Sequence, residues 1–101
     1  MASKQDGVWV ITHRGDLIRC LGSKIIDNDR GMYGQCFLVL LTTDGKEHPL
    51  ATDDYWSGKT GPVEELRRAQ EIIVGQITKC KEGKLDLREN KKLMNLLKSL
   101  E

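Results

Sequence analysis

The sequence predicts an α+β fold: an antiparallel sheet of four to five strands, arranged as a meander, is packed by one long helix and followed by a short C-terminal helix. Three patterns support this prediction. Residues 35–51 contain an apolar run, a turn signal and a second extended segment. A helical apolar period covers residues 63–82, and a row of leucines follows near the C terminus.

Length and composition favour a single domain. A chain of 101 residues is long enough to bury one core without metal or disulfide support. Its charged fraction of 31% and formal net charge of +1 argue against disorder and against a general affinity for nucleic acids or membrane surfaces. We expect one domain over residues 1–101, with residues 1–6 frayed and residues 7–51 forming the sheet.

The central element of the predicted sheet is a hairpin. Residues 36–41 are the longest uninterrupted apolar run in the chain, which is typical of a strand with one face on a core. Asp44 and Gly45 then indicate a two-residue type I′ turn, in which both central residues have positive φ. Pro49 has no backbone N–H, so the return strand is expected at a sheet edge or with a bulge.

A first hairpin is expected before the central one. β-Branched and aromatic residues fill residues 8–12, and a second apolar run covers residues 17–21 after a glycine-containing turn. Gly22 and Ser23 are expected to end that run. A separate short strand at residues 24–27 and a loop at residues 28–34 complete the expected arrangement.

Two helices are expected in the second half. Pro62 and the acidic residues after it are typical of a helix start, and the long helix is expected over residues 63–82. Asp86 is expected to cap a last helix over residues 86–100, with Glu89 completing a capping box. Its leucine row is too short to be stable alone and must pack on its own domain or on another copy. We assign this row to a homo-oligomer interface formed by Leu93, Leu96, Leu97 and Leu100.

The sequence contains no pattern typical of catalysis or metal binding. His48 could act as a general base paired with Cys36 or Asp44, but no nucleophile motif surrounds it. The cysteines and histidines lack the paired spacing of a zinc site. We therefore expect a non-enzymatic protein without metal or cofactor, and keep a small hydrolase using His48 as an alternative.

The candidate binding site is a loop expected at residues 52–62. Adjacent aromatic side chains on a polar loop often anchor partners or stack on flat ligands. Residues 57–60 are similar to the end of a phosphate-binding loop, although that motif has glycine at the position of Asp53. The residues predicted to contact a ligand or partner are Asp53, Tyr55, Trp56, Lys59 and Thr60.

The order of segments resembles that of very short uncharacterised phage and bacterial proteins, in which a β-meander is closed by one helix. The resemblance is carried by Gly15-Asp16-Leu17-Ile18, by Lys24-Ile25-Ile26, by the central hairpin, and by Leu66, Ile73 and Ile77. It covers residues 8–80 and carries over no active site. It implies a non-enzymatic protein that blocks or sequesters a host factor, often as a homo-oligomer.

These observations predict a homo-oligomeric binding protein whose partner is another protein or a second copy. A protein that sequesters a small nucleotide-like signalling ligand is the alternative. Nucleic acid is not an expected partner, because acids interrupt the basic residues of the C-terminal segment, and no membrane association is expected. An odd number of widely spaced cysteines, with no secretory segment before them, predicts free thiols and a cytoplasmic location.

Overall fold

Five strands and two α-helices form the chain, as shown by a computed structural model that describes residues 7–56 and 61–100. The expected fraying of residues 1–6 lies outside the described residues. The elements are β1 (Val8–Ile11), β2 (Leu17–Arg30), β3 (Tyr33–Thr42), β4 (Glu47–Trp56), α1 (Gly61–Lys79), β5 (Lys84–Asp86), a 3₁₀ helix (Leu87–Glu89) and α2 (Lys91–Ser99).

The sheet has the strand order β4-β3-β2-β1-β5 and is mixed. The α+β class is confirmed, but the prediction of a purely antiparallel sheet is wrong in one strand. β5 pairs with β1 in parallel, with Trp9 opposite Lys84 and Ile11 opposite Asp86. The chain reaches β5 through α1, which connects β4 at one edge of the sheet to β5 at the other edge.

β2 is one continuous strand of 14 residues, so the break expected at Gly22 and Ser23 is wrong. The pairing with β3 shifts register between Cys20 and Gly22, which leaves Leu21 as the extra residue of a bulge. The strand also includes residues 28–30 of the loop expected at residues 28–34. A two-residue turn at Gly31 and Met32, with φ of 67° at Gly31, then leads directly into β3.

The turn between β3 and β4 differs from the predicted type I′ turn. Gly45 has a φ of 84°, and no non-glycine residue among those described has positive φ. The Gly45 N–H donates to the Thr42 carbonyl at 3.1 Å, and the Thr42 N–H donates to the Lys46 carbonyl at 3.1 Å. This pattern is typical of a three-residue loop with a glycine bulge. The Asp44 side chain supports it by accepting from the Lys46 N–H at 3.0 Å.

Pro49 was expected to place the return strand at a sheet edge or to mark a bulge, and the structure shows both. β4 is an edge strand, and its register with β3 shifts between the pairs Leu38–Ala51 and Val39–Pro49. Leu50 is the extra residue of this bulge and is buried in the core. β4 continues to Trp56, so residues 52–56 are strand and not part of the expected loop.

α1 and α2 pack on one face of the sheet. Leu66, Ala69 and Ile73 project from α1 into a core that includes Cys36, Leu38 and Leu40 of β3, all fully buried. α1 begins at Gly61 and ends at Lys79, earlier than the predicted end. Among the described residues, no helix is both long and apolar enough to cross a membrane.

The C-terminal segment is divided between two short helices. Asp86 caps only the 3₁₀ helix, where its side chain accepts from the Arg88 N–H at 2.9 Å. Asn90 caps α2 by accepting from the Leu93 N–H at 3.0 Å. The predicted capping box and the start of the last helix at residue 86 are therefore wrong.

The leucine row packs within its own chain. Leu93 and Leu97 are fully buried and Leu100 is 9% exposed, and all three belong to the core cluster. These three side chains are buried within their own chain, which argues against the interface predicted for them. Only Leu96 of the row is partly exposed.

Candidate binding face of the sheet

The sheet has one face covered by the helices and one open face. Successive side chains of a strand point to opposite faces. In β3, Cys36, Leu38 and Leu40 lie in the core cluster, whereas Phe37 and Val39 alternate with them on the opposite face, where Phe37 is partly exposed and Val39 is buried with 3% exposure. We call the surface on the side of Phe37 and Val39 the open face, because the core residues of α1 and α2 pack on the other side of the sheet.

Strand alternation divides the predicted binding residues between the two faces. Trp56 lies opposite Tyr33 of β3, on the open face. Asp53 and Tyr55 lie opposite Cys36 and Gly34, on the covered face. The site predicted as one loop is therefore split, because its residues belong to a strand. The remaining predicted residues, Lys59 and Thr60, lie outside the described residues.

One end of the open face carries an exposed row that we call the end cluster: Arg30, Tyr33 and Trp56. Arg30 pairs with Tyr33 across β2 and β3, and Tyr33 pairs with Trp56 across β3 and β4. The two rings have centroids 4.7 Å apart at 45°. Tyr33 is 60% exposed and Trp56 is 44% exposed. Such exposure of two large rings in contact is typical of a binding surface.

The row next to the end cluster is polar. It consists of Asn28, Gln35 and Asp54, and the Gln35 Nε2 donates to the Asp54 Oδ1 at 3.0 Å. These residues, with Arg30 and Tyr33, line a shallow hollow of about 300 Å³. The hollow combines an aromatic edge, a guanidinium group and amide groups, which can bind a planar ligand that carries hydrogen-bonding atoms.

The other end of the open face carries a second group, the Trp9 cluster: Trp9, Arg19 and Lys84. Trp9 pairs with Arg19 of β2 and with Lys84 of β5. The Arg19 Cζ lies 5.2 Å from the centroid of the Trp9 ring, within the range of a cation–π interaction. Trp9 remains 39% exposed.

Aromatic residues are concentrated on the open face. The chain has two tryptophans, two tyrosines and one phenylalanine. By strand register, Trp9, Tyr33, Phe37 and Trp56 lie on the open face, and Tyr55 is the exception. Both tryptophans of the protein therefore report on this face.

The carboxylates of the open face have polar partners. Glu47 forms an ion pair with Lys24 at 2.7 Å, and Asp54 accepts from Gln35. Asp86 binds Arg88 at 2.8 Å, and this interaction lowers the pKa of the Asp86 carboxyl. Arg19 and Arg30, on the same face, form no ion pair with these three acids.

A polar cluster lies on the covered face near the start of α1. The Tyr55 hydroxyl donates to the Asp27 carboxylate, and this hydrogen bond raises the pKa of Tyr55. Burial, followed by the nearby Asp27 charge, raises the pKa of the Cys36 thiol. Burial, with repulsion from Glu65, raises the pKa of Asp53. Because their pKa values are raised, the Tyr55 phenol and the Cys36 thiol stay protonated at neutral pH. Neither group is therefore an activated nucleophile.

The histidine pairings considered from the sequence are not formed among the described residues. His48 lies opposite Leu40, and its Nε2 is 3.9 Å from the Asp16 Oδ2. Cys36 is four positions before Leu40 in β3 and pairs with Asp27 and Asp53 instead. No group of three or more metal-ligating side chains occurs within residues 7–56 and 61–100.

Comparison with protein-family models, with curated proteins and with solved structures finds no match to this chain. The fold and the open face together define an α+β protein with helices on one side of a five-stranded mixed sheet and exposed aromatic residues on the other.

Sequence reasoning missed four important residues of the open face: Trp9, Arg19, Arg30 and Tyr33. Arg30 and Tyr33 lie in a segment that was expected to be a loop. Trp9 and Trp56 are 47 positions apart, so the sequence did not indicate that they share a face. The sequence signal that could have identified these residues is the alternation of side chains between the two faces of a strand. In an alternating strand, an aromatic residue out of phase with the buried positions lies on the opposite face.

Proposed function

We propose that the protein is a non-catalytic binding protein and that the open face of the sheet is its binding surface. The end cluster carries this proposal. Arginine, tyrosine and tryptophan are the residues most enriched at binding hot spots, and here one of each lies in a single exposed row. A partner that covers the row would bury two large rings that water now contacts.

The predicted blocking or sequestration of a host factor is part of this proposal. A protein partner would use the two rings as anchors and the surrounding polar residues as a rim. The open face is also the surface that we propose for a homo-oligomer, since three leucines of the predicted interface lie in the core. A cytoplasmic location is proposed as well, and the three cysteines are free thiols in the structure.

The proposal is tested by cross-linked capture from a cell extract, using wild-type protein and a Tyr33→Ala/Trp56→Ala double variant. The double variant is expected to lose the captured component. Val74→Ala is the matched control, because Val74 is an exposed apolar residue of α1, 42% exposed and away from the sheet. Equal capture by all three proteins would contradict the proposal.

A nucleotide-like signalling ligand remains a second candidate, favoured by the hollow beside the end cluster. Its lining offers Arg30 for a phosphate and the amides of Asn28 and Gln35 for a base edge. Titration with a panel of nucleoside mono- and cyclic phosphates, followed by amide chemical shifts, tests this candidate. Shifts confined to residues 28–35 and 54–56, and lost in Arg30→Gln, are expected. No shift with any nucleotide would exclude it.

A further inference from the structure

We propose that the ligand of the open face is a single-stranded nucleic acid. This inference rests on the proposed function, because it assigns a partner to the same face. It departs from the expectation drawn from overall charge, since the net charge of the chain does not report how charged and aromatic residues are distributed between the two faces.

The open face carries two stacking groups, and each contains an arginine. Tyr33 and Trp56 stand beside Arg30 at one end, and Trp9 stands beside Arg19 at the other. Proteins that bind single strands combine aromatic side chains, on which bases stack, with cations that follow the phosphates. Each cluster of the open face supplies both kinds of group.

The separation of the two clusters favours an oligonucleotide over a single nucleotide. The Arg19 carbonyl accepts from the Thr43 N–H at 3.2 Å, so the Trp9 cluster lies at the level of Thr43 on the adjoining strands. Thr43 is ten positions after Tyr33, which corresponds to about 33 Å along a strand. One nucleotide cannot contact both clusters, whereas a strand of several nucleotides can.

The charges of the open face fit a phosphate backbone. Arg19, Arg30 and Lys84 form no close ion pair among residues 7–56 and 61–100, although the Lys84 charge helps to lower the pKa of Asp86. Of the carboxylates on the same face, Glu47 and Asp86 pair with Lys24 and Arg88, whereas Asp54 binds the neutral amide of Gln35 and keeps its charge in the hollow that Arg30 also lines. Three available cations are few, so stacking must supply much of the affinity. We expect log K to fall with log salt concentration with a slope of about −2.

A single strand suits this surface better than a duplex. Stacking on Trp9, Tyr33 or Trp56 requires an exposed base face, and a duplex buries its base faces. The five strands of a sheet also twist relative to one another, which turns the two clusters about the sheet axis. A flexible strand can follow that twist. The amides of Asn28 and Gln35, which lie next to the end cluster, can bind unpaired base edges.

The inference is tested by fluorescence anisotropy with labelled single-stranded DNA and RNA of about 12 nucleotides, a length within the range of known single-strand sites. Trp56→Leu retains apolar bulk but has no π face, and it is expected to bind roughly 5- to 150-fold more weakly. Trp56→Phe is expected to retain most of the affinity. Arg19→Gln tests the second cluster without removing Trp9, and Val74→Ala is expected to bind like wild type.

Several outcomes would overturn the inference. They are the absence of binding, equal affinity for a duplex, equal affinity of Trp56→Leu and Trp56→Phe, and equal affinity for a trinucleotide and the longer strand. Light scattering on the free protein gives a further outcome that would overturn the inference. If the wild-type protein is a dimer and Trp56→Leu is not, the open face binds a second copy of the chain. If oligonucleotides fail but extract capture still depends on Tyr33 and Trp56, only the inference fails and the proposed function stands.

Discussion

At the scale of single residues, Gly34 shows how a side chain across the sheet determines which residue is tolerated. Gly34 lies in β3 opposite Tyr55, and its φ is not in the left-handed region. A Cβ at this position would lie 2.6 Å from the Tyr55 Cζ. The ring therefore covers the glycine, an arrangement in which an aromatic residue compensates for a glycine in a strand.

Gly34→Ala is expected to destabilise the protein by about 1–3 kcal/mol, because the new methyl group must displace the Tyr55 ring. Chemical denaturation measures the change in the free energy of unfolding. Gly22→Ala is the matched control, since a Cβ at that strand glycine would meet nothing within 4 Å. If the ring contact is the cause, Gly34→Ala should lower the free energy of unfolding much less in a Tyr55→Ala background. An equal loss in both backgrounds would contradict this explanation.

Asp53 gives a prediction that depends on pH. Burial raises the pKa of this carboxyl, and its Oδ2 has no hydrogen-bond partner among the described residues. A raised pKa means that the folded state binds the proton more tightly than the unfolded state. The ionised carboxylate therefore opposes folding at neutral pH, and this penalty disappears as the pH falls through the raised pKa.

Asp53→Asn is accordingly expected to have a higher Tm than wild type at pH 7, with a difference that shrinks as the pH falls toward about 4, near the ordinary carboxyl pKa. Thermal unfolding at a series of pH values tests this. Asp54→Asn removes the same charge from the neighbouring exposed residue and serves as the control. A difference that stays constant down to pH 4 would show that ionisation of Asp53 is not its cause.

At the scale of elements, α2 depends on one cap and on burial in the core. It has nine residues, too few for an isolated helix to be stable. The Asn90 side chain satisfies the Leu93 N–H at its start, and Leu93 and Leu97 are fully buried. The helix is thus held by local and tertiary interactions within one chain.

Asn90→Ala is expected to lower the free energy of unfolding by about 1 kcal/mol through loss of the cap. Asn95→Ala is the matched control, because Asn95 is exposed in the middle of the same helix and alanine has the higher helix propensity. The comparison is made by urea denaturation. A larger loss for Asn95→Ala than for Asn90→Ala would contradict the assignment of Asn90 as the cap.

Leu97→Ala is expected to lower the free energy of unfolding by about 2–5 kcal/mol, since it opens a cavity in the core. Leu96→Ala should cost clearly less, because Leu96 is partly exposed. Both losses should be independent of protein concentration if the row packs within one chain. Unfolding at two concentrations a hundredfold apart measures this dependence. A cost of Leu97→Ala that changes with concentration would restore the oligomer interface that the burial of these leucines argues against.

Local patterns predicted the fold in part. The apolar run of β3 predicted the central strand, and Pro49 predicted both the edge position and the bulge of β4. β5 was harder to assign, because three residues carry little periodicity and their parallel partner, β1, is distant in the sequence. Asp86 and Asn90 are both suitable caps, and the sequence does not distinguish which one begins α2.

The candidate site was harder to predict because it depends on pairing between distant strands. Trp56 was identified from its own sequence context, but its neighbours Tyr33 and Arg30 are supplied by β3 and β2. Treating residues 52–56 as loop also removed the alternation that separates Trp56 from Tyr55. Register is specified by contacts across the sheet, and a shift of one residue moves every side chain to the opposite face.

At the scale of the whole molecule, the helices cover one side of the sheet and leave the aromatic side open. The core cluster consists of apolar residues of the covered face and of the helices packed on it, and the exposed rings of Trp9, Tyr33 and Trp56 are not part of it. The division between a face for stability and a face for binding is the central claim about this protein.

Acrylamide quenching of tryptophan fluorescence tests that claim most directly, because both tryptophans lie on the open face. Trp9→Phe and Trp56→Phe variants leave one reporter each, measured free and with saturating single-stranded oligonucleotide or the captured partner. We predict that both tryptophans are accessible to quencher in the free protein and that binding protects them. Unchanged quenching at both positions in a complex shown to be saturated would contradict the claim.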